Sequence, residues 1–189
     1  MLNADKLVIG LTGMPGAGKT VFVEAATAVG YVKVSMGDVI REETQRRGLE
    51  LNPQNVGKVM LDLRRDSGNN VIAERCVPKI KAQVSDKIVI DGLRSLSEVE
   101  VFKANFAGFK LIAVHAASDV RFARLSRRGR SDDPKIFDAF LERDMRELSV
   151  GLGNAIALSE HVLVNDCSIE SFKAVVKKYL EQAEAKWKS

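Results

Sequence analysis

Eight consecutive residues restrict this chain more than any others: Gly13-Met14-Pro15-Gly16-Ala17-Gly18-Lys19-Thr20, which fit the pattern GxxxxGK[ST]. An apolar run, Lys6–Leu11, precedes them and an amphipathic stretch, Lys19–Val29, follows, so the pattern falls where a strand hands over to a helix. That context makes it a phosphate-binding loop of the Walker A kind. Glycines let successive backbone N–H groups turn toward one anion, and the helix N-terminus adds partial positive charge. Lys19 would bridge the β- and γ-phosphates of ATP. Thr20 would offer its hydroxyl to Mg²⁺, a hard ion that keeps several waters and takes few protein ligands.

Around this loop, short apolar runs alternate with longer amphipathic ones, the pattern of a parallel sheet with crossover helices. The spacing predicts strands over Lys6–Leu11, Tyr31–Ser35, Lys87–Asp91, Phe109–His115 and His161–Val164, with β-branched character that suggests burial on both faces. Helices are predicted over Lys19–Val29, Gly37–Arg47, Asn55–Asp66, Asn69–Val84, Leu96–Asn105, Asp119–Arg127, Pro134–Leu148 and Ile169–Lys186, the fourth with a kink at Pro78. The fold class is therefore α/β, one domain over residues 1–189, with a five-stranded parallel sheet and helices on both faces. Between the second and third strands lies more chain than one crossover helix needs, and residues 36–84 read as a helical, substrate-binding insertion.

A hydrophobic fraction of 46% is enough for one continuous core at this length. Lys and Arg exceed Asp and Glu by 29 to 25, a mild excess that suits anionic small ligands and does not by itself point to a nucleic acid. Cys76 and Cys167 lack CxxC spacing, so neither a zinc site nor a disulfide framework is indicated, and a reducing cytoplasm is the expected setting. No apolar run reaches membrane-spanning length.

Asp91 ends a buried strand, where an acidic residue would complete the metal site with Thr20. The nature of the acceptor turns on arginines. A hydroxyl acceptor must lose a proton, whereas a phosphate acceptor is already an anion and needs charge neutralisation, which the planar guanidinium fork provides. Arg41 follows the second strand and Arg94 the third. Arg121, Arg124, Arg127, Arg128 and Arg130 crowd one helix and the loop after it, an arrangement that calls for anions or carboxylates nearby.

At Ser35-Met36-Gly37-Asp38-Val39-Ile40-Arg41 the chain resembles the adenylate-kinase family of P-loop nucleoside monophosphate kinases, and most resembles an archaeal adenylate-kinase-related group. Asp91-Gly92-Leu93-Arg94 looks like that family's D-G-x-P-R segment, Arg124–Asp133 like its lid region, and Val164-Asn165-Asp166 like its last strand and base-side loop. The resemblance implies strand order 2-3-1-4-5, a monophosphate-binding insertion over 36–84 and a short lid over 127–140. It implies transfer of the ATP γ-phosphoryl to a nucleoside monophosphate, AMP foremost. Residue by residue, it assigns Gly13–Thr20 and Asn165 to ATP, Gly37, Asp38, Arg41, Gly92, Arg94 and Glu98 to the monophosphate, and Lys19, Arg124, Arg130 and Arg143 to the transferring group. Glu98 stands where the family carries a glutamine that reads the adenine edge, and a carboxylate can still accept from an exocyclic amine. Asp38 has two readings: a cap for the helix that carries Arg41, or a general base for a hydroxyl acceptor such as dephospho-coenzyme A. A nucleotide-sensing P-loop ATPase is the reading from another class.

Overall fold

The computed structural model describes residues 6–129 and 133–188. Its centre is one five-stranded sheet in the order β2-β3-β1-β4-β5, with every pairing parallel. The strands are β1 (Leu7–Thr12), β2 (Val32–Ser35), β3 (Lys87–Asp91), β4 (Gly108–His115) and β5 (His161–Val164). This is the order the family resemblance implied.

The helices are α1 (Lys19–Ala28), α2 (Met36–Arg46), α3 (Pro53–Ser67), α4 (Val71–Lys81), α5 (Leu96–Asn105), α6 (Ser118–Arg128), α7 (Phe137–Ser149), α8 (Leu152–Ala157) and α9 (Ile169–Lys188). Because side chains alternate along a strand, each inner strand feeds two cores. Val8 of β1 with Ile88 and Ile90 of β3 joins the core under α2–α5, while Leu7, Ile9 and Leu11 with Val89 join the core under α1 and α9.

Burial on both faces holds for β1 but not for the edges. His161, Val162 and Val164 of β5 are exposed, because a strand at the sheet margin has one neighbour, while Leu163 still joins the core under α9. Pro78 lies inside α4, and the helix still runs unbroken from Val71 to Lys81, with Cys76 and Ile80 fully buried beside it.

Parallel pairing brings the strands' carboxyl ends to one edge, where ligands bind in open α/β sheets. Leu11 of β1 and Ser35 of β2 both stand level with Asp91, and His115 of β4 with Val164 of β5. The glycine-rich loop, the start of α2, the β3–α5 loop and Asn165 all leave the sheet at this edge.

Candidate active site

The loop itself is shaped by what surrounds it. Gly13 and Gly18 have φ of +140° and +108°, and a Cβ on either would strike, respectively, the Val114 carbonyl oxygen of β4 and the Asn165 side-chain amide. Asn165 is buried and donates to Ala17 O at 2.8 Å, while its own N–H reaches His115 O at 2.7 Å. It ties the loop to β4 and β5.

Lys19 is half-buried, and its ammonium donates to the loop's own carbonyls, those of Gly13 and Met14, the latter at 3.1 Å. Burial pulls its pKa down to about 8; Asp91 opposes this, Arg94 adds to it, Glu147 opposes it and Arg121 adds to it. Those four side chains, from three different segments of the chain, therefore share the field around the lysine.

Thr20 and Asp91 line one cavity of about 430 Å³ beside α1, where Lys33 of β2 stands 3.8 Å from the Asp91 carboxylate. A hydroxyl and a carboxylate next to the loop lysine suit Mg²⁺, which takes one or two protein oxygens and completes its shell with phosphate and water. Among the described residues no group of three or more His, Cys, Asp or Glu could hold a metal, so a cage built wholly from protein is not part of this region.

Of the residues expected to meet the acceptor, Arg41 of α2 folds back onto Asp38 in that helix's first turn, with Nε 3.2 Å from Oδ1, and both side chains are about half exposed. Ser35, not the Gly37-Asp38 pair, occupies the N-cap position, so Asp38 does not cap α2; it adds favourable charge to the first turn instead. Gly92 and Arg94 lie in the β3–α5 loop, and Arg94 Nη1 approaches Glu147 of α7 at 3.4 Å. Glu98 requires a correction. At 1% exposure, its carboxylate accepts from Arg64 Nη2 at 3.1 Å and from the Arg94 N–H at 2.8 Å, so it anchors this loop and does not present an edge to a base.

The predicted transfer arginines separate. Arg124 donates to Asn165 O at 2.8 Å, and its buried Nη1 has no hydrogen-bond partner among the described residues. Arg143 lies 3.5 Å from Asp133, which Arg128 also engages at 2.5 Å. Arg130 lies outside the described residues.

Residues 12–136 match the model of a family described as an AAA domain. Over 180 residues the chain is 44% identical to a UPF0200 protein of Thermococcus onnurineus, spanning 93% of this chain and 97% of that one. A UPF0200 protein of Methanocaldococcus jannaschii is 47% identical over 166 residues, 87% of this chain and 84% of its own. The chain belongs to the UPF0200 family. Among solved structures, shikimate kinase from Acinetobacter baumannii in complex with shikimate superposes with a TM-score of 0.60 at 12% identity, covering 96% of this chain and 94% of that one. Shikimate kinase from Bacteroides thetaiotaomicron gives 0.58 at 16%, covering 93% and 98%. At such identities the likeness is one of fold, and the UPF0200 chain has the fold of a P-loop kinase.

One residue of the UPF0200 site had been no more than a member of an arginine crowd. Arg121 is buried at 6% exposure and pairs with Asp144 of α7 through two bonds, 2.9 and 2.6 Å. It also donates to Pro15 O in the loop and to Ala116 O, both at 3.2 Å, and stacks on Phe140. A signal was present: Arg121 stands four residues before Leu125, the other buried position of α6, so it falls on the helix's inward stripe. Its partner on α7 could not be read from spacing.

Proposed function

We propose that this chain moves the γ-phosphoryl group of ATP to a small phosphate-bearing acceptor, a nucleoside monophosphate with AMP as the first candidate. The observation that carries the reading is the register of the sheet: Leu11, just before the loop of Lys19, stands level with Asp91, just before the loop of Arg94, so the lysine that would hold the donor's phosphates and an arginine expected at the acceptor leave the sheet at the same edge. Two cations so placed repel until an anion comes between them, which is the situation of phosphoryl transfer between two phosphates. Arg41, exposed on α2 and paired with Asp38, would exchange that carboxylate for the acceptor's phosphate. The unpartnered Nη1 of Arg124, next to the loop-binding Asn165, would meet the donor's phosphates. Arg143, and Arg130 from the short lid over 127–140, would approach on closure.

Thr20 and Asp91 would hold Mg²⁺, which supplies charge neutralisation at the β- and γ-phosphates. The surrounding protein does the rest: the loop amides orient the phosphates, and lid closure excludes the water that would otherwise accept the phosphoryl group. Residues 36–84, which contain α2, α3 and α4, would form the acceptor-binding part of a single domain acting in the cytoplasm. A second reading, a kinase for a hydroxyl acceptor such as dephospho-coenzyme A, draws support from the half-exposed carboxylate of Asp38 in the first turn of α2.

The test is incubation with Mg-ATP and a panel of monophosphates plus dephospho-coenzyme A, with products followed by phosphorus NMR. Transfer to a monophosphate is expected, and Lys19→Ala should lower kcat by about 10²–10³-fold. Release of inorganic phosphate at a rate no acceptor alters would overturn the kinase reading in favour of a nucleotide-sensing ATPase.

A further inference from the structure

A recess of about 330 Å³ lies where the end of α3, the start of α5 and the end of α7 meet, lined by Arg64, Asn69, Arg94, Ser95, Ser97 and Ser149. Two guanidinium groups, three hydroxyls and an amide make an uncommon lining for a site meant to take an uncharged base. Arg64 is the residue that needs explaining. Its side chain is only 20% exposed, so it has given up most of its hydration, yet Glu98 holds it by a single bond, Nη2 to Oε1 at 3.1 Å.

The cause is local. Glu98 splits its carboxylate: the second oxygen accepts from the Arg94 N–H, so the two-bond fork that Arg121 forms with Asp144 is denied to Arg64. The remaining donors of Arg64 belong to a group that also lines the recess. Ser95 caps α5 by accepting from the Glu98 N–H at 3.3 Å, and Ser97 bonds the Ser95 hydroxyl at 3.0 Å, so both serines are fixed at the recess wall. Arg94 links this recess to the phosphate loop, because it lines the recess and follows β3, whose last residue, Asp91, stands level with Leu11 just before that loop.

We infer that the acceptor carries a second oxyanion, remote from the group that receives the phosphoryl, and that Arg64 binds it in this recess. The inference rests on the phosphotransfer reading and narrows its substrate class: among monophosphate acceptors, those bearing a further phosphate or carboxylate are favoured, with AMP as the reference compound that lacks the second anion. Glu98 then acts as the holder of Arg64.

The test is calorimetric titration of the full chain, with Mg²⁺ and a non-hydrolysable ATP analogue filling the loop, against AMP, adenosine 3′,5′-bisphosphate and adenylosuccinate. The bisphosphate carries its extra anion as phosphate on the sugar, adenylosuccinate as carboxylates on the base. At least one should bind roughly tenfold more tightly than AMP, a difference within reach of one charge-assisted contact. Which of them gains identifies the anion as phosphate or carboxylate. In Arg64→Met/Glu98→Gln, which removes the pair without stranding a buried charge, the ratio of the bisphosphate or adenylosuccinate affinity to that of AMP should fall to about one, whatever happens to AMP affinity itself. Arg64→Lys should keep part of the preference. Equal binding of all three by the unmodified protein overturns the inference with no variant needed, as does a preference that survives in the double variant. Phosphorus NMR on the same mixtures with ATP separates the two ideas: transfer to AMP without any preference leaves the kinase reading standing alone, and a preference without transfer leaves the anion site standing alone.

Discussion

The two sides of the phosphate loop are held by opposite means. Toward α6, α7 and β5, the contacts are buried and multiple: Arg121 and Asp144 at 6% and 7% exposure joined by two bonds, and Asn165 at 4% joined to Ala17 and His115. Toward α2 and α4, the positive charges stay near the surface. Glu43 is buried at 5% but collects Arg46, Arg47 and Arg75, which are 72%, 30% and 40% exposed, and the Arg41–Asp38 pair is open to solvent. A buried bidentate pair fixes one geometry, whereas exposed arginines lose little by trading a carboxylate for an incoming anion. Under the proposed function, the donor side would be built in advance and the acceptor side built to exchange partners.

Breaking the donor side should have the largest effect. Asp144→Ala leaves Arg121 charged and buried beside the loop, at a cost of roughly 3–5 kcal/mol. For a chain of this size that lowers Tm by roughly 6–20 °C, read by calorimetry or circular dichroism. Arg121→Met/Asp144→Leu should recover most of that stability but not ATP affinity, because the bond to Pro15 O is gone. Recovery of both would show that the pair does not shape the loop.

An intermediate loss, about 1–2 kcal/mol, is expected for Glu43→Gln, which weakens several charge-assisted bonds without emptying the site. Hydrogen bonds from Arg46 and then Arg47 hold the Glu43 carboxyl down to about 2 against an ordinary 4.5. A depressed carboxyl contributes fully above its unfolded value, so the gap between variant and parent should be complete above about pH 5 and close as pH falls toward about 2. Melting curves across that range measure it; a gap independent of pH would mean that shape, not charge, holds α2 to its neighbours.

Smallest in stability is Arg41→Ala, under about 0.5 kcal/mol because the pair with Asp38 is exposed. Its effect should fall on the acceptor's KM, with ATP affinity unchanged. Equal weakening of both substrates would erase the distinction between the two sides.

Much of this architecture could be read from the chain. β3, β5 and α5 begin and end at the predicted residues, because each combines a uniform apolar run or a clear cap with polar flanks. α8 went unread, since six residues, Leu152–Ala157, are too few to show a period. The loop's residues were legible because sequence neighbours build it. Glu98, Arg64 and Arg121 were not, because their environments come from pairings across distant segments, 34 residues apart for Arg64 with Glu98 and 23 for Arg121 with Asp144. Exposure of β5 was hidden for the same reason: a Val-rich run reads alike at the centre and at the margin of a sheet.

The Lys19 ammonium, leaning on the carbonyls of its own loop, makes nucleotide capture a proton-coupled event. Burial lowers its pKa to about 8 in the free protein, whereas a triphosphate beside it would favour the charged form, so binding at mildly alkaline pH is expected to draw a proton from the buffer. The apparent heat of ATP binding should therefore shift with the ionisation enthalpy of the buffer chosen, and affinity should decline as pH rises past 8. Folding responds in the opposite sense: between about pH 8 and the unfolded value of 10.5, the folded chain no longer has to bury that charge, and stability rises. Alkaline solution would favour the protein's fold while weakening its hold on nucleotide.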